Sequence, residues 1–166
     1  MIGSNTGAKI VWHILEISNL LNKYGDVICQ QEGITTQQWL LLLYLSGDPN
    51  IPYLEREPHT QPLMASELAD AFNVSRPNIT NILNTLLRKD LILQLEDHVD
   101  RRKKRLALTD AGKDLLARLE PGRTSFNNKL LERFSYTERD QFLHFLETCN
   151  ATIVEHFSLV TEQLEK

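Results

Sequence analysis

Asn78, Thr80, Asn81, Asn84, Thr85 and Arg88 crowd hydrogen-bonding side chains into one short stretch. If that stretch is helical, Pro77, Asn81, Asn84 and Arg88 line one face, flanked by Asn78, Thr80 and Thr85. Ile79, Ile82, Leu83 and Leu86 line the opposite one. A merely solvated helix face draws on Glu, Lys, Gln or Ala, which favour helix; Asn and Thr do not. What carboxamides and hydroxyls do well is bond phosphates and the edges of bases in a major groove. A second candidate is Arg101-Arg102-Lys103-Lys104-Arg105, the longest run of consecutive cations in the chain. A charge run alone is ordinarily a solvated surface. Beside a polar-faced helix it suits a phosphate or minor-groove contact.

The overall charge is −4, which at first argues against nucleic acid. Its distribution does not. Between Ser75 and Arg105 there are eight cations against four anions, and elsewhere ten against eighteen. A basic footprint on an acidic body is what a DNA-binding face needs. Enzyme chemistry has no comparable signal: no nucleophile–base motif, phosphate-binding glycine loop or paired-carboxylate pattern stands out, so no catalytic residue and no cofactor is assigned. His13, His59, His98, His144 and His156 are scattered without metal-ligand spacing. Cys29 and Cys149 do not make a disulfide framework, which fits a reducing cytoplasm. No apolar run reaches membrane-spanning length and no signal peptide opens the chain, so no membrane partner is expected.

The elements that would hold these residues can be read around them. Ser75 is a good helix N-cap and Pro77 sits harmlessly in the first turn. Before it, Ala65–Phe72 reads as a short helix with a Leu68, Ala69, Phe72 stripe, Asn73 as a left-handed turn residue, and Val74 as the plug between the helices. Helix, short turn and polar-faced helix is the helix-turn-helix pattern. After it, Leu91, Leu93 and Leu95 alternate with Ile92, Gln94 and Glu96, which predicts a strand with the leucines inward. Lys104–Leu108 is the return strand, with Leu106 and Leu108 inward and a charged tip between.

On either side lie helices. One runs from about Ala8 to Gln31, where Ser18 and Gly25 would let another helix approach closely, and Gly33 ends it. The next, capped by Thr35 or Thr36, carries Trp39–Leu45, apolar all round and therefore expected in the core. Gly47 to Pro62 holds four of the six prolines and reads as a long loop. Thr109 caps a later helix that Pro121-Gly122 should kink or interrupt. Thr137, with Asp140 in the capping-box position, is expected to cap the last helix. That helix has a long apolar series, Phe142 to Leu164, which needs a cover, partly from the first helix and partly from a second subunit.

Taken together, Glu67-Leu68-Ala69, Val74-Ser75-Arg76, Leu91-Ile92, Asp100-Arg101-Arg102 and Leu106-Ala107-Leu108-Thr109-Asp110-Ala111-Gly112 resemble the MarR family of bacterial transcriptional regulators. The resemblance covers nearly the whole chain. It implies a mainly α fold with a small β-hairpin wing (α+β): one domain over 1–166, with dimerisation helices in 8–46 and 110–164, a winged helix-turn-helix lobe over 63–109 and an insertion loop over 47–62. It implies a homodimer on double-stranded DNA, a palindromic operator, and a repressor or activator answering to a small-molecule effector, with release of a repressor as the expectation. DNA contacts would come from Ser75, Arg76, Pro77, Asn78, Thr80, Asn81, Asn84, Arg88, Arg101, Arg102 and Lys103, with Asp100 orienting a wing arginine and Arg102 reaching the minor groove. An effector pocket would draw on Trp12, His13, Tyr24 and Trp39, which otherwise are ordinary core and interface aromatics. The chain departs from the family in the length of its 47–62 loop and in having no cysteine near the start of its first helix, where peroxide-sensing members carry theirs. The alternatives are a winged helix used for protein contact without specific DNA binding, and an RNA-binding winged helix. The second is disfavoured because a recognition helix does not fit an A-form major groove.

Overall fold

Asn5 starts the first helix: its side-chain oxygen accepts the N–H groups of Gly7 and Ala8, and α1 runs Thr6–Gln30. The computed structural model describes residues 5–51, 63–72, 74–97, 100 and 103–164. Most of the 47–62 loop, Asn73, Arg101 and Arg102 therefore lie outside the described residues. Gly33, at φ +69°, turns the chain after α1 in the left-handed region where a side chain is strained. Thr35 and Gln38 then form a reciprocal capping box at the head of α2 (Thr36–Ser46).

The helix that approaches Gly25 closely is α2. A Cβ on Gly25 would stand 2.6 Å from the Thr36 hydroxyl oxygen. Beside it, Asp26 Oδ1 accepts the Thr36 N–H at 2.9 Å and its hydroxyl at 2.7 Å. One orphan donor of the α2 first turn is thus satisfied by a neighbouring helix. The Thr36 N–H, then its hydroxyl, hold the Asp26 carboxyl below the usual carboxylate range. As the all-apolar run requires, α2 lies in the core: Leu41, Leu42 and Leu43 are buried, with Trp39, Tyr44 and Leu45 packed against them.

The reading lobe follows as β1 (Leu63–Met64), α3 (Ala65–Ala71), α4 (Arg76–Arg88), β2 (Ile92–Glu96) and β3 (Lys104–Leu108). The strands form one antiparallel sheet in the order β1-β3-β2, so the expected two-stranded hairpin is the larger part of a three-stranded sheet. Strand β1 pairs Leu63 with Leu106 and Met64 with Arg105. Glu67 Oε2 then accepts the Met64 N–H at 2.7 Å, which launches α3 directly from the strand.

The facing of β2 corrects the sequence expectation. Ile92 is 1% exposed and Leu95 is 42% exposed, so the inward series is not Leu91, Leu93, Leu95. The cause is the turn that ends α4. Asp90 adopts φ +56°, the Leu91 N–H donates to the Leu86 carbonyl, and the Asp90 N–H donates to that of Leu87. This left-handed helix ending buries Leu91 before the strand starts. Alternation begins one residue later than expected, and a shift of one residue exchanges the two faces of a strand. Register agrees: Ile92 pairs with Leu108 and Gln94 with Leu106.

Helix α5 (Asp110–Leu131) begins at Thr109. The Thr109 side-chain oxygen accepts the Gly112 N–H, while its hydroxyl donates to the Asp90 carbonyl at 2.6 Å and its N–H to that of Leu91. Gly112 crosses this joint so tightly that a Cβ would lie 2.2 Å from the Leu91 carbonyl oxygen. The Leu108-Thr109-Asp110-Ala111-Gly112 signature is thus the knot that ties the end of α4, the wing and α5 together. Of the kink or interruption expected at Pro121, the interruption does not occur: α5 continues helical to Leu131, and losing one intrahelical bond there does not end it. Helix α6 (Tyr136–Leu164) is capped by Ser135, not Thr137. Ser135 Oγ accepts the Glu138 N–H, and Glu138 Oε2 accepts the Ser135 N–H at 2.8 Å. This is the ordinary Ser-x-x-Glu box, displaced by two residues from the one expected.

The chain divides into two compact units, Met1–Pro121 and Gly122–Lys166. The first holds the core, which includes Cys29, Leu41, Leu42, Leu68, Ile79, Leu86, Ile92, Leu106, Leu115 and Leu119. In the second, Arg139 donates to the Leu131 and Phe134 carbonyls and so closes the turn into α6, beside the stacked rings of Phe134 and Phe142.

Candidate nucleic-acid interface

Helix α4 is built as its pattern requires. Ser75 Oγ accepts the Asn78 N–H, and Pro77 occupies the first turn. Ile79, Leu83 and Leu86 are buried and Ile82 half-buried, which anchors the helix by one face. Ser75, Arg76, Pro77, Asn78, Thr80, Asn81, Asn84 and Arg88 are all exposed on the remainder.

Their hydrogen-bonding groups are not equally available. The Thr80 hydroxyl donates to the Arg76 carbonyl at 2.7 Å and that of Thr85 to the Asn81 carbonyl at 3.0 Å. Arg88 Nε donates to the Asn84 carbonyl, and its Nη2 to the Thr85 hydroxyl oxygen at 3.2 Å. The threonines and Arg88 are therefore tied to their own helix. Among the described residues the side chains of Arg76, Asn78, Asn81 and Asn84 have no partner, which leaves their donors and acceptors open to a ligand.

The wing divides its charges in the same way. Lys104 Nζ lies 3.2 Å from Glu96 Oε1, its cross-strand neighbour. Arg105 pairs through Nε with Asp97, a carboxylate only 5% exposed. Asp97 Oδ1 also accepts the Asp100 N–H at 2.9 Å, and the Lys103 N–H donates to the Asp100 carbonyl at 2.8 Å. Asp97 is thus the carboxylate around which the described part of the wing turn is folded. The sequence reading missed both Asp97 and Arg105 as positioning residues. The available signal was opposite charges eight residues apart across a predicted hairpin. Of the basic run, Lys104 and Arg105 are engaged at the wing root, while Lys103 is exposed. Arg101 and Arg102, and with them the arginine that Asp100 was expected to orient, lie outside the described residues.

The four aromatic candidates for an effector pocket are not brought together. Trp12 is 69% and Tyr24 41% exposed on α1, twelve residues or roughly 18 Å apart along it. His13 pairs with Glu16 one turn on, and Trp39 packs against the core. The hollow between α1 and the head of α2 is lined instead by Asn22, Asp26, Gln30, Ile34, Thr35, Thr36 and Gln37, none of them among the four. Cys29 lies fully buried at the end of α1, and burial, then the Asp26 charge, push its thiol up to about 11. A thiol so protonated is a poor nucleophile. Among the described residues no group of three or more His, Cys, Asp or Glu side chains is placed to hold a metal, and no helix is long and apolar enough to cross a membrane.

A helix-turn-helix with unpartnered carboxamides on its second helix, followed by a basic hairpin, defines a winged-helix nucleic-acid-binding protein. The comparisons with known proteins agree. The MarR family profile matches residues 54–104. The HTH-type transcriptional repressor YetL of Bacillus subtilis is 33% identical over 133 residues, covering 80% of this chain and 74% of YetL. The transcriptional activatory protein BadR of Rhodopseudomonas palustris is 27% identical over 139 residues, covering 83% and 74%. Among solved structures, the MepR–DNA complex of S. aureus superposes with a TM-score of 0.73 at 25% identity, covering 86% of this chain and 96% of MepR. The chain belongs to the MarR family: it is a DNA-binding transcriptional regulator, not an enzyme.

Proposed function

We propose that the chain is a homodimeric repressor that binds a palindromic operator, with one α4 helix in each of two major-groove segments, and that a small-molecule effector releases it. Arg76, Asn78, Asn81 and Asn84 meet the groove, Ser75 and Pro77 set the helix entry, and Arg88 and Lys103 serve the phosphates. Arg101 and Arg102 complete the wing, with Asp100 orienting Arg102 toward the adjacent minor groove. Its work is on chromosomal DNA, hence in the cytoplasm. The 63–109 lobe reads DNA, and the helical stretches in 8–46 and 110–164 pair the subunits.

The observation that carries the DNA reading is the set of free carboxamides on an otherwise self-bonded helix face. Dimerisation is supported by apolar side chains left exposed on each terminal helix by itself: Val11, Trp12, Leu15 and Leu20 on α1, and Phe145, Ile153, Val154 and Phe157 on α6 are each more than half exposed. Such surface invites a self-complementary partner. Repression is the sense of YetL, the relative of highest identity cited above, and an effector would act through its differential affinity for DNA-competent and incompetent dimers.

Sedimentation of the full chain, alone and with duplex DNA, tests the assembly. The expected result is a dimer at micromolar concentration and one dimer per operator. A monomer under both conditions overturns the homodimer and the palindrome with it. Titrating candidate small molecules into the complex then tests release.

A further inference from the structure

Resting on the reading that α4 enters the major groove, we infer that Asn81 and Asn84 are its specificity-determining pair. Each reads one adenine through N6 and N7, so that each half-site carries A·T pairs at two neighbouring positions.

A carboxamide presents one acceptor and one donor side by side. Only adenine matches that pair in the major groove, with its N7 acceptor next to its N6 donor; guanine offers two acceptors, and cytosine and thymine a single polar group each. Both Asn81 and Asn84 are exposed, and among the described residues neither carboxamide has a hydrogen-bond partner. They lie on one stripe, three residues apart, about 4.5 Å along the axis, against about 3.4 Å per base-pair step. That separation serves two adjacent base pairs.

The rest of the stripe agrees. Arginine bidentate to guanine is the commonest specific contact, but Arg88 already donates to the Asn84 carbonyl and to Thr85. Its fork is not free in the form guanine needs. Thr80 has its hydroxyl proton engaged with the Arg76 carbonyl. Its methyl, and the exposed ring of Pro77 one turn before Asn81, are apolar groups suited to the C5-methyl of a thymine.

The test is selection of bound duplexes from a library with a random core, using the full chain, followed by base and side-chain replacement on the enriched duplex. The expected core holds two neighbouring A·T pairs per half-site. Replacing one of those adenines by 7-deazaadenine, which lacks the N7 acceptor, should weaken binding about tenfold. Asn81→Ala should lose that discrimination at one position and Asn84→Ala at the other, each variant being insensitive to 7-deazaadenine at its own position. Unselected duplex should bind both variants as it binds the parent, and circular dichroism should be unchanged, because both sites are exposed and Ala favours helix. An enriched core of G·C pairs, full 7-deazaadenine tolerance, or variants with the parent's preference overturns the inference and leaves DNA reading intact. Binding of every duplex alike, or of none, overturns the groove reading itself and the inference with it.

Discussion

Helix α4 and the wing are both polar and both exposed, yet they keep opposite things free. Along the middle of α4 the charged Arg88 and the threonine hydroxyls are bound to the helix itself, and the neutral carboxamides of Asn81 and Asn84 are left open, Arg76 in the first turn being the open cation. On the described wing the root cations Lys104 and Arg105 are likewise matched, by Glu96 and Asp97, but what stays exposed toward the tip is a charge, Lys103. Neutral groups with directional donors and acceptors can distinguish bases, whereas cations attract any phosphate. The difference teaches that one surface is shaped for selectivity and the other for affinity, and that the wing root uses its own anions to keep its charge at the tip.

The largest expected effect breaks both regions together. Gly112→Ala places a Cβ against the Leu91 carbonyl at the knot joining α4, the wing and α5. Because backbone cannot yield as a side chain does, the cost should reach about 3 kcal/mol. Thermal or urea unfolding would report it, with DNA binding of every kind lost in parallel. Next, Asp97→Ala should break only the wing. It removes the buried carboxylate that pairs with Arg105 Nε and accepts the Asp100 N–H, at about 2 kcal/mol. Affinity should fall on all duplexes while the preferred sequence stays the same; a changed preference would mean the wing itself reads sequence.

Smaller changes sharpen the contrast. Ser75→Ala removes the α4 cap and should lower stability by about 1 kcal/mol, measurable by urea unfolding, with specific binding weakened more than non-specific binding. Glu96→Gln should alter stability by no more than about 0.5 kcal/mol, since its pair with Lys104 is exposed. It should instead release Lys104 for phosphate and steepen the slope of log affinity against log salt by about one. An unchanged slope would show that the wing root stays clear of the DNA.

Local chemistry alone determined much of this molecule. Ser75, Pro77 and the Ile79, Ile82, Leu83, Leu86 spacing set α4 and its open face, because a cap and a helical period are written within a dozen residues. Thr35, Gly33 and the return strand Lys104–Leu108 were legible for the same reason. Tertiary structure decided the rest. Strand β1 is two residues long and exists only because β3 offers it an edge, so no periodicity could announce it. The inward face of β2 followed from the left-handed Asp90 turn, a conformation that glycine announces and aspartate does not. Pro121 stayed within α5, where a lost hydrogen bond weakens a helix without ending it if its neighbours hold. Which cations of the basic run remain open depended on Glu96 and Asp97 coming opposite them across the hairpin. The sequence specifies a group's chemistry, but whether that group is free depends on the partners that folding brings within reach.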